Sequence, residues 1–244
     1  MRIPAVLALT VLLSTPTVYA QDLQFRTVTT SEAMGLAIPG FTMNVAIKGQ
    51  LTRIDMDVAG MWFSSIVDHG AQKMLMINHE EMTYSERPGM LSTYAAGSRP
   101  EVRETGETQE IAGFKAKRIV MTSILPGGED LRRALLVQEM WVVSDKKLAQ
   151  AFGRYIRAMA ASGKASASGH LFGDIPDGTF PLRITLLVVA ANPGEKINVD
   201  ALLNGTAPSD RILMQTVMVI SDIRTTEVDP SFFVVPTGYV KSSR

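Results

Sequence analysis

Thr52-Arg53-Ile54-Asp55-Met56-Asp57-Val58 places Thr52, Ile54, Met56 and Val58 at alternate positions against Arg53, Asp55 and Asp57. A repeat of two puts every second side chain on the same face of a strand. Past Gly60 the pattern resumes: Met61, Phe63, Ser65 and Val67 oppose Trp62, Ser64 and Ile66. His69-Gly70 reads as a turn, and residues 73–78 start again with Leu75 and Ile77 opposite Met74 and Met76. His79-Glu80-Glu81 makes another turn before a short strand at 82–85. Strands this closely spaced pair antiparallel, because parallel neighbours need a long crossover. The stretch is a β-meander.

Outward from it, residues 87–100 are rich in Gly, Ser and Pro and read as a loop. A hairpin follows at 104–111 and 114–123 around Ala112-Gly113, then a Pro126-Gly127-Gly128 break and a strand at 135–143. Ser144 or Asp145 can cap a helix over 146–161. Leu148, Phe152, Tyr155, Ile156 and Met159 form its apolar stripe, Lys147, Gln150, Arg154 and Arg157 its wet side, and Gly163 its stop. Residues 182–191 and 212–224 read as long strands with an Asn204-Gly205 turn between them, and 231–235 as a last short strand ending at Pro236. The tail from Lys241 onward is expected to fray. One helix among about ten strands predicts a mainly β (α+β) fold, a curled antiparallel sheet or unclosed β-barrel wrapped around one amphipathic helix.

Arg2, an apolar run from Ile3 to Leu13 and the small-residue end Val18-Tyr19-Ala20 have the form of a secretory signal. Cleavage after Ala20 is expected to leave residues 21–244 as a single domain in the periplasm. The run is shorter than the roughly 20 residues that span a bilayer, and no later stretch supplies a transmembrane segment. The 244-residue chain has no cysteine, which removes thiol catalysis, thiolate metal sites and lipoprotein attachment. Its 24 basic and 24 acidic residues cancel, and no basic cluster suggests nucleic acid as a partner.

Several short runs together resemble a known group. They are Arg53-Ile54-Asp55-Met56, Ile66-Val67-Asp68, Lys73-Met74-Leu75-Met76 with Tyr84, and Glu104-Thr105. Ile111-Ala112-Gly113-Phe114-Lys115-Ala116 and Met140-Trp141-Val142 continue the succession. The order is similar to that of periplasmic domain-of-unknown-function proteins related in fold to outer-membrane lipoprotein carriers, the LolA/LolB-like group. The resemblance covers residues 41–161 well and the later strands loosely. It implies an unclosed barrel with a helical plug and an internal cavity, in which relatives hold acyl chains or other apolar ligands. It implies no catalytic residue.

Candidate chemistry is sparse. Ser144-Asp145-Lys146-Lys147 fits Ser-x-x-Lys, but the Ser-Asp-Asn and Lys-Thr-Gly partners of that chemistry are missing, so a helix cap is the simpler reading. Of the three histidines, His69, His79 and His170, none sits in a metal or triad pattern; His79-Glu80-Glu81 lacks the second histidine of a zinc-protease helix. Asp55 and Asp57 beside Arg53 read as solvated surface charge, and Asn204-Gly205-Thr206 as a turn rather than a glycosylation site. Fourteen methionines are the unusual component, with Met74/Met76 and Met214/Met218 each on one strand face. Thioethers fill cores, line adaptable apolar cavities or bind Cu(I). The expected protein is non-enzymatic and binds a lipid or other apolar small molecule between sheet and helix, with no cofactor, no metal and no catalytic residue. Met56, Met61, Phe63, Met140, Phe152, Tyr155 and Met159 are the expected lining. The alternatives are an interaction module with a filled core that docks another envelope protein, and a hydrolase.

Overall fold

The computed structural model describes residues 22–58, 60–88, 100–125, 134–161, 178–192 and 195–242. Within these, the side chains at 58, 88, 125, 154–161 and 209 are not described. The signal-like segment 1–20, His170, Gly163 and the side chains of Arg154, Tyr155, Ile156, Arg157 and Met159 therefore lie outside the described residues.

Twelve strands make one sheet. They are β1 (Leu23–Ala33), β2 (Leu36–Lys48), β3 (Leu51–Val58), β4 (Met61–Asp68), β5 (Lys73–Asn78) and β6 (Thr83–Pro88). Then come β7 (Glu101–Ile111), β8 (Phe114–Leu125), β9 (Ala134–Val143), β10 (Phe180–Ala190), β11 (Ile212–Arg224) and β12 (Val240–Lys241). Their spatial order is β12-β6-β5-β4-β3-β2-β1-β11-β10-β9-β8-β7. All neighbours are antiparallel except β12, which joins β6 parallel. The two ends do not pair, so the sheet is open, with β7 and β12 as its edges. Tight turns make the meander possible: Ala112 (φ 51°) and Gly113 (φ 79°) both take the left-handed conformation that a two-residue hairpin needs. In the first hairpin Gly40 sits beside the register shift between Thr29 and Ser31; a Cβ there would meet the Thr29 carbonyl oxygen at 2.7 Å. Only glycine fits that bulge.

Helix α1 (Lys146–Ala161) is capped by Asp145, whose Oδ1 accepts from the Lys147 and Leu148 amides at 2.8 and 3.0 Å. Ser144 is left exposed beside it. Leu148, Ala151 and Phe152 are buried among Leu23, Phe25, Val45, Ile47, Phe180 and Ile220. The Phe152 ring meets Phe180 edge-on at 5.3 Å, and Phe180 meets Phe25 in the same way at 5.7 Å. The helix thus rests on the middle of the sheet, against β1, β2 and β10.

The opposite face has two other covers. A second helix, α2 (Val199–Leu203), buries Leu202 against Val120, Val137, Leu187 and Val189. A strap after β11 buries Val228 and Phe233 against Ala46, Ile66 and Ile77. Residues 231–235 are therefore not a strand. Asp229 Oδ1 accepts from the Ser231 amide, and Pro230 opens a 3₁₀ turn, Pro230–Phe233. Lys241 is not frayed either: it lies in β12, and its Nζ meets Glu86 at 3.0 Å.

Phe152→Ala removes the ring that ties helix to sheet. It is expected to cost about 3–5 kcal/mol in urea unfolding, whereas an exposed helix residue such as Lys147→Ala should change stability little.

Candidate functional site

Cross-strand partners in a sheet share a face, so the register carries one face from strand to strand. Starting at Thr27 on β1, the partners are Met43 on β2 and Ile220 on β11. Met43 faces Met56 on β3, Met56 faces Phe63 on β4, and two residues on, Ser65 and Val67 face Met76 and Met74 on β5. In the other direction Thr29 faces Met218, Met218 faces Ile184, Ile184 faces Met140, and Met140 faces Ile119. Met121 and Met214 belong to the same face. Nine methionines share it: Met43, Met56, Met61, Met74 and Met76 on one side of β1, and Met121, Met140, Met214 and Met218 on the other. Leu23, Phe25, Val45 and Ile47 also lie on it, so this is the face that α1 covers.

The two halves of this face differ. Met121, Met140 and Met218 are buried with Ile119, Val142 and Ile184 in a packed cluster that Met43 joins. On the β3–β5 arm Met56, Phe63 and Met76 are only partly buried, and Met61 is 45% exposed. None of these four is part of a packed hydrophobic cluster among the described residues. Of the expected lining, Met56, Met61 and Phe63 stand together on this open arm. Met140 is on the same face but fully buried, and Phe152 is the helix residue locked against Phe180. Met43, Thr27 and Thr29 escape a reading of single strands because only the register brings them to this face. An unbranched thioether adapts its shape at little cost, which suits a face that meets ligands of variable form.

The opposite face of the same arm carries polar chemistry. Asp55, Arg53 and His79 are not solvated there, because the strap covers them. Arg53 Nε donates to Asp55 Oδ1 at 2.7 Å and Nη1 to the Phe232 carbonyl at 2.8 Å. Ser64, completely buried, donates its hydroxyl to Asp55. His79 Nε2 lies 2.6 Å from Ser64 Oγ, its Nδ1 lies 2.7 Å from the Tyr239 hydroxyl, and Trp62 stacks on its ring at 4.5 Å. The Ser64 proton goes to Asp55, so His79 Nε2–H must donate to Ser64 and Nδ1 must accept from Tyr239. A base needs the reverse polarity toward its serine. The pair fastens the strap and does not activate a nucleophile. Among the described residues no group of three or more His, Asp or Glu is placed to hold a metal. A cleft of about 280 Å³ lies on this face near α2, lined by Glu101, Thr122, Leu135, Asn192 and Ile197. It is at the small end for a ligand site.

No family model matches the chain, and no curated protein matches it. Solved structures similar to it include an uncharacterized conserved protein from Thermus thermophilus, 7% identical with a TM-score of 0.42, over 92% of this chain and 91% of that one. A LolA superfamily protein from Nitrosomonas europaea is 8% identical with a TM-score of 0.35, over 88% and 90%. A DUF1329 family protein from Desulfovibrio piger is 10% identical with a TM-score of 0.35, over 88% and 90%. Two of the three bear names from the kind of group that the sequence resembles. With TM-scores below 0.5, the architecture rests on the strand order and register above.

Burial pushes the His79 imidazole below its ordinary value, Arg53 adds to this and Asp55 opposes it. Burial also lowers His69, against the pull of Asp68. The folded chain prefers both rings neutral, so the unfolded chain takes up protons first as acid is added. Stability is therefore expected to be full above the unfolded histidine value of about 6.5 and to fall as pH drops below it. Urea titrations at stepped pH check the slope. His79→Gln should flatten it, and Tyr239→Phe should cost about 1 kcal/mol at neutral pH.

Proposed function

We propose that this chain is a non-enzymatic periplasmic binding protein, exported through residues 1–20 and acting as one domain of residues 21–244. It holds a lipid or acyl chain on the helix-covered side of its sheet. The open arm around Met56, Met61 and Phe63 receives the apolar part. One observation carries this reading: nine methionines share one face, and of those on β3–β5 Met56, Met61 and Met76 are partly buried or exposed and stand outside the packed clusters, while Met74 is buried. A ligand covering about 400 Å² of apolar surface at about 25 cal/mol per Å² gains about 10 kcal/mol, of which the costs of association take at least about 4 kcal/mol.

A second reading, docking of an envelope protein, has its own support. At the β1–β2 hairpin tip Met34 and Leu36 are 77% and 71% exposed, with Ile38 and Leu213 exposed nearby. A patch of this kind suits a partner.

Native and denaturing mass spectrometry of protein exported to a bacterial periplasm and purified without detergent separates the two. A reproducible extra mass, released as lipid and reduced at least tenfold by Met56→Glu or Phe63→Glu, is the expected result. A bare polypeptide that also fails to bind a fluorescent acyl probe overturns the ligand reading. Partner capture that is lost on Leu36→Asp then supports the second.

A further inference from the structure

Resting on that ligand reading, we infer that the Thr27 and Thr29 hydroxyls are its polar receptor, built for an uncharged hydrogen-bonding group such as an ester carbonyl or a hydroxyl. Both side chains are buried, 1% and 2% exposed, and among the described residues neither Oγ1 has a hydrogen-bond partner. Buried hydroxyls are nearly always bonded, because an orphan forfeits its bonds to water and gains nothing in return. Two orphans stand here at alternate positions of the central strand. The neighbouring hydroxyl on the same face shows what satisfaction looks like: Ser31 Oγ lies 3.0 Å from Thr216 Oγ1.

The surroundings select the group. Thr27 sits between Met43 and Ile220, and Thr29 between Phe41 and Met218. Continuing the register over β10 and β9 adds Ile184, Leu186, Gln138 and Met140 to the face. None of these is ionisable, so a carboxylate or phosphate placed there would be buried without a countercharge. A hydroxyl donates to a carbonyl oxygen and accepts from an alcohol, which fits a neutral glycerol ester or fatty alcohol. The same face also leads from the two hydroxyls toward the open arm. Met43, Met56 and Phe63 follow Thr27 on successive strands, and at about 4.8 Å per strand Phe63 lies roughly 14 Å away. A medium-length acyl chain covers that span.

Displacement of a fluorescent apolar dye by three 12-carbon probes tests the assignment: monododecanoylglycerol, dodecanoate and dodecane. The wild type is expected to bind the glycerol ester about tenfold tighter than either other probe. Thr27→Val/Thr29→Val keeps the side-chain shape and removes both hydroxyls. It should lose about tenfold for the ester, the scale of one lost hydrogen bond, and bind dodecane unchanged. Its thermal midpoint without ligand should equal or exceed that of the wild type, since the orphans are gone. Thr29→Ser, which keeps a hydroxyl, should retain the ester preference. If dodecane binds but the double variant holds the ester as tightly as the wild type, or the wild type prefers dodecanoate, the hydroxyl assignment is overturned while the ligand reading stands. If none of the probes displaces the dye or binds, both fall.

Discussion

An open sheet of twelve strands has two faces to shelter from water, and among the described residues one long helix serves the task. Helix α1 shields the centre of one face through Leu148, Ala151 and Phe152. The other face is shared between the C-terminal strap over the meander and α2 at the far end. The arm β3–β5 therefore has a firm cover on its strap side and soft thioethers on its helix side. Nonpolar burial in the four clusters holds the parts together, as it does in most domains. What distinguishes this chain is the group of Met56, Met61, Phe63 and Met76 that those clusters leave out.

The strap is placed by directional contacts. Asp22 Oδ2 accepts from Lys48 and from the Val228 amide, both at 2.8 Å, which pins the start of the strap to the start of β1. Arg53 holds the Phe232 carbonyl, His79 holds Tyr239, and the Ser242 amide donates to the Tyr84 carbonyl at 2.7 Å. At the other end of the sheet the buried Arg118 joins Glu139 at 2.6 Å and Glu107 at 2.9 and 3.0 Å. Such pairs add little net stability over an apolar core, but breaking one partner is costly, so they set position more than they set strength.

The meander was legible in the sequence because its two faces differ sharply: Ile54 and Met56 against Arg53 and Asp55, Met74 and Met76 against Leu75 and Ile77. The alternation put Met56, Met61 and Phe63 on one side without knowledge of the register. β1 was not legible, since its inward positions beyond Phe25 are Thr27 and Thr29, which erase the contrast with Thr30 and Arg26. β2 was hidden by Pro39-Gly40, a turn signal that here marks a bulge. The strap misled for the opposite reason. Phe232-Phe233-Val234-Val235 has strand composition, yet Asp229 and Pro230 begin a 3₁₀ turn first. His79 looked like a solvated turn residue because Tyr239, its partner, is 160 residues away. Long-range pairing of that kind leaves no local pattern to read.

Methionine oxidation mapped residue by residue tests the central claim most directly, since the chain carries its own controls. Met34 and Met82 are exposed on turns outside the strands, while Met56, Met61 and Met76 stand on the open arm of the helix-covered face. With dilute peroxide, monododecanoylglycerol is expected to slow oxidation of Met56, Met61 and Met76 several-fold and to leave Met34 and Met82 unchanged. Equal rates at all five positions with and without the lipid would contradict a ligand seated on this face.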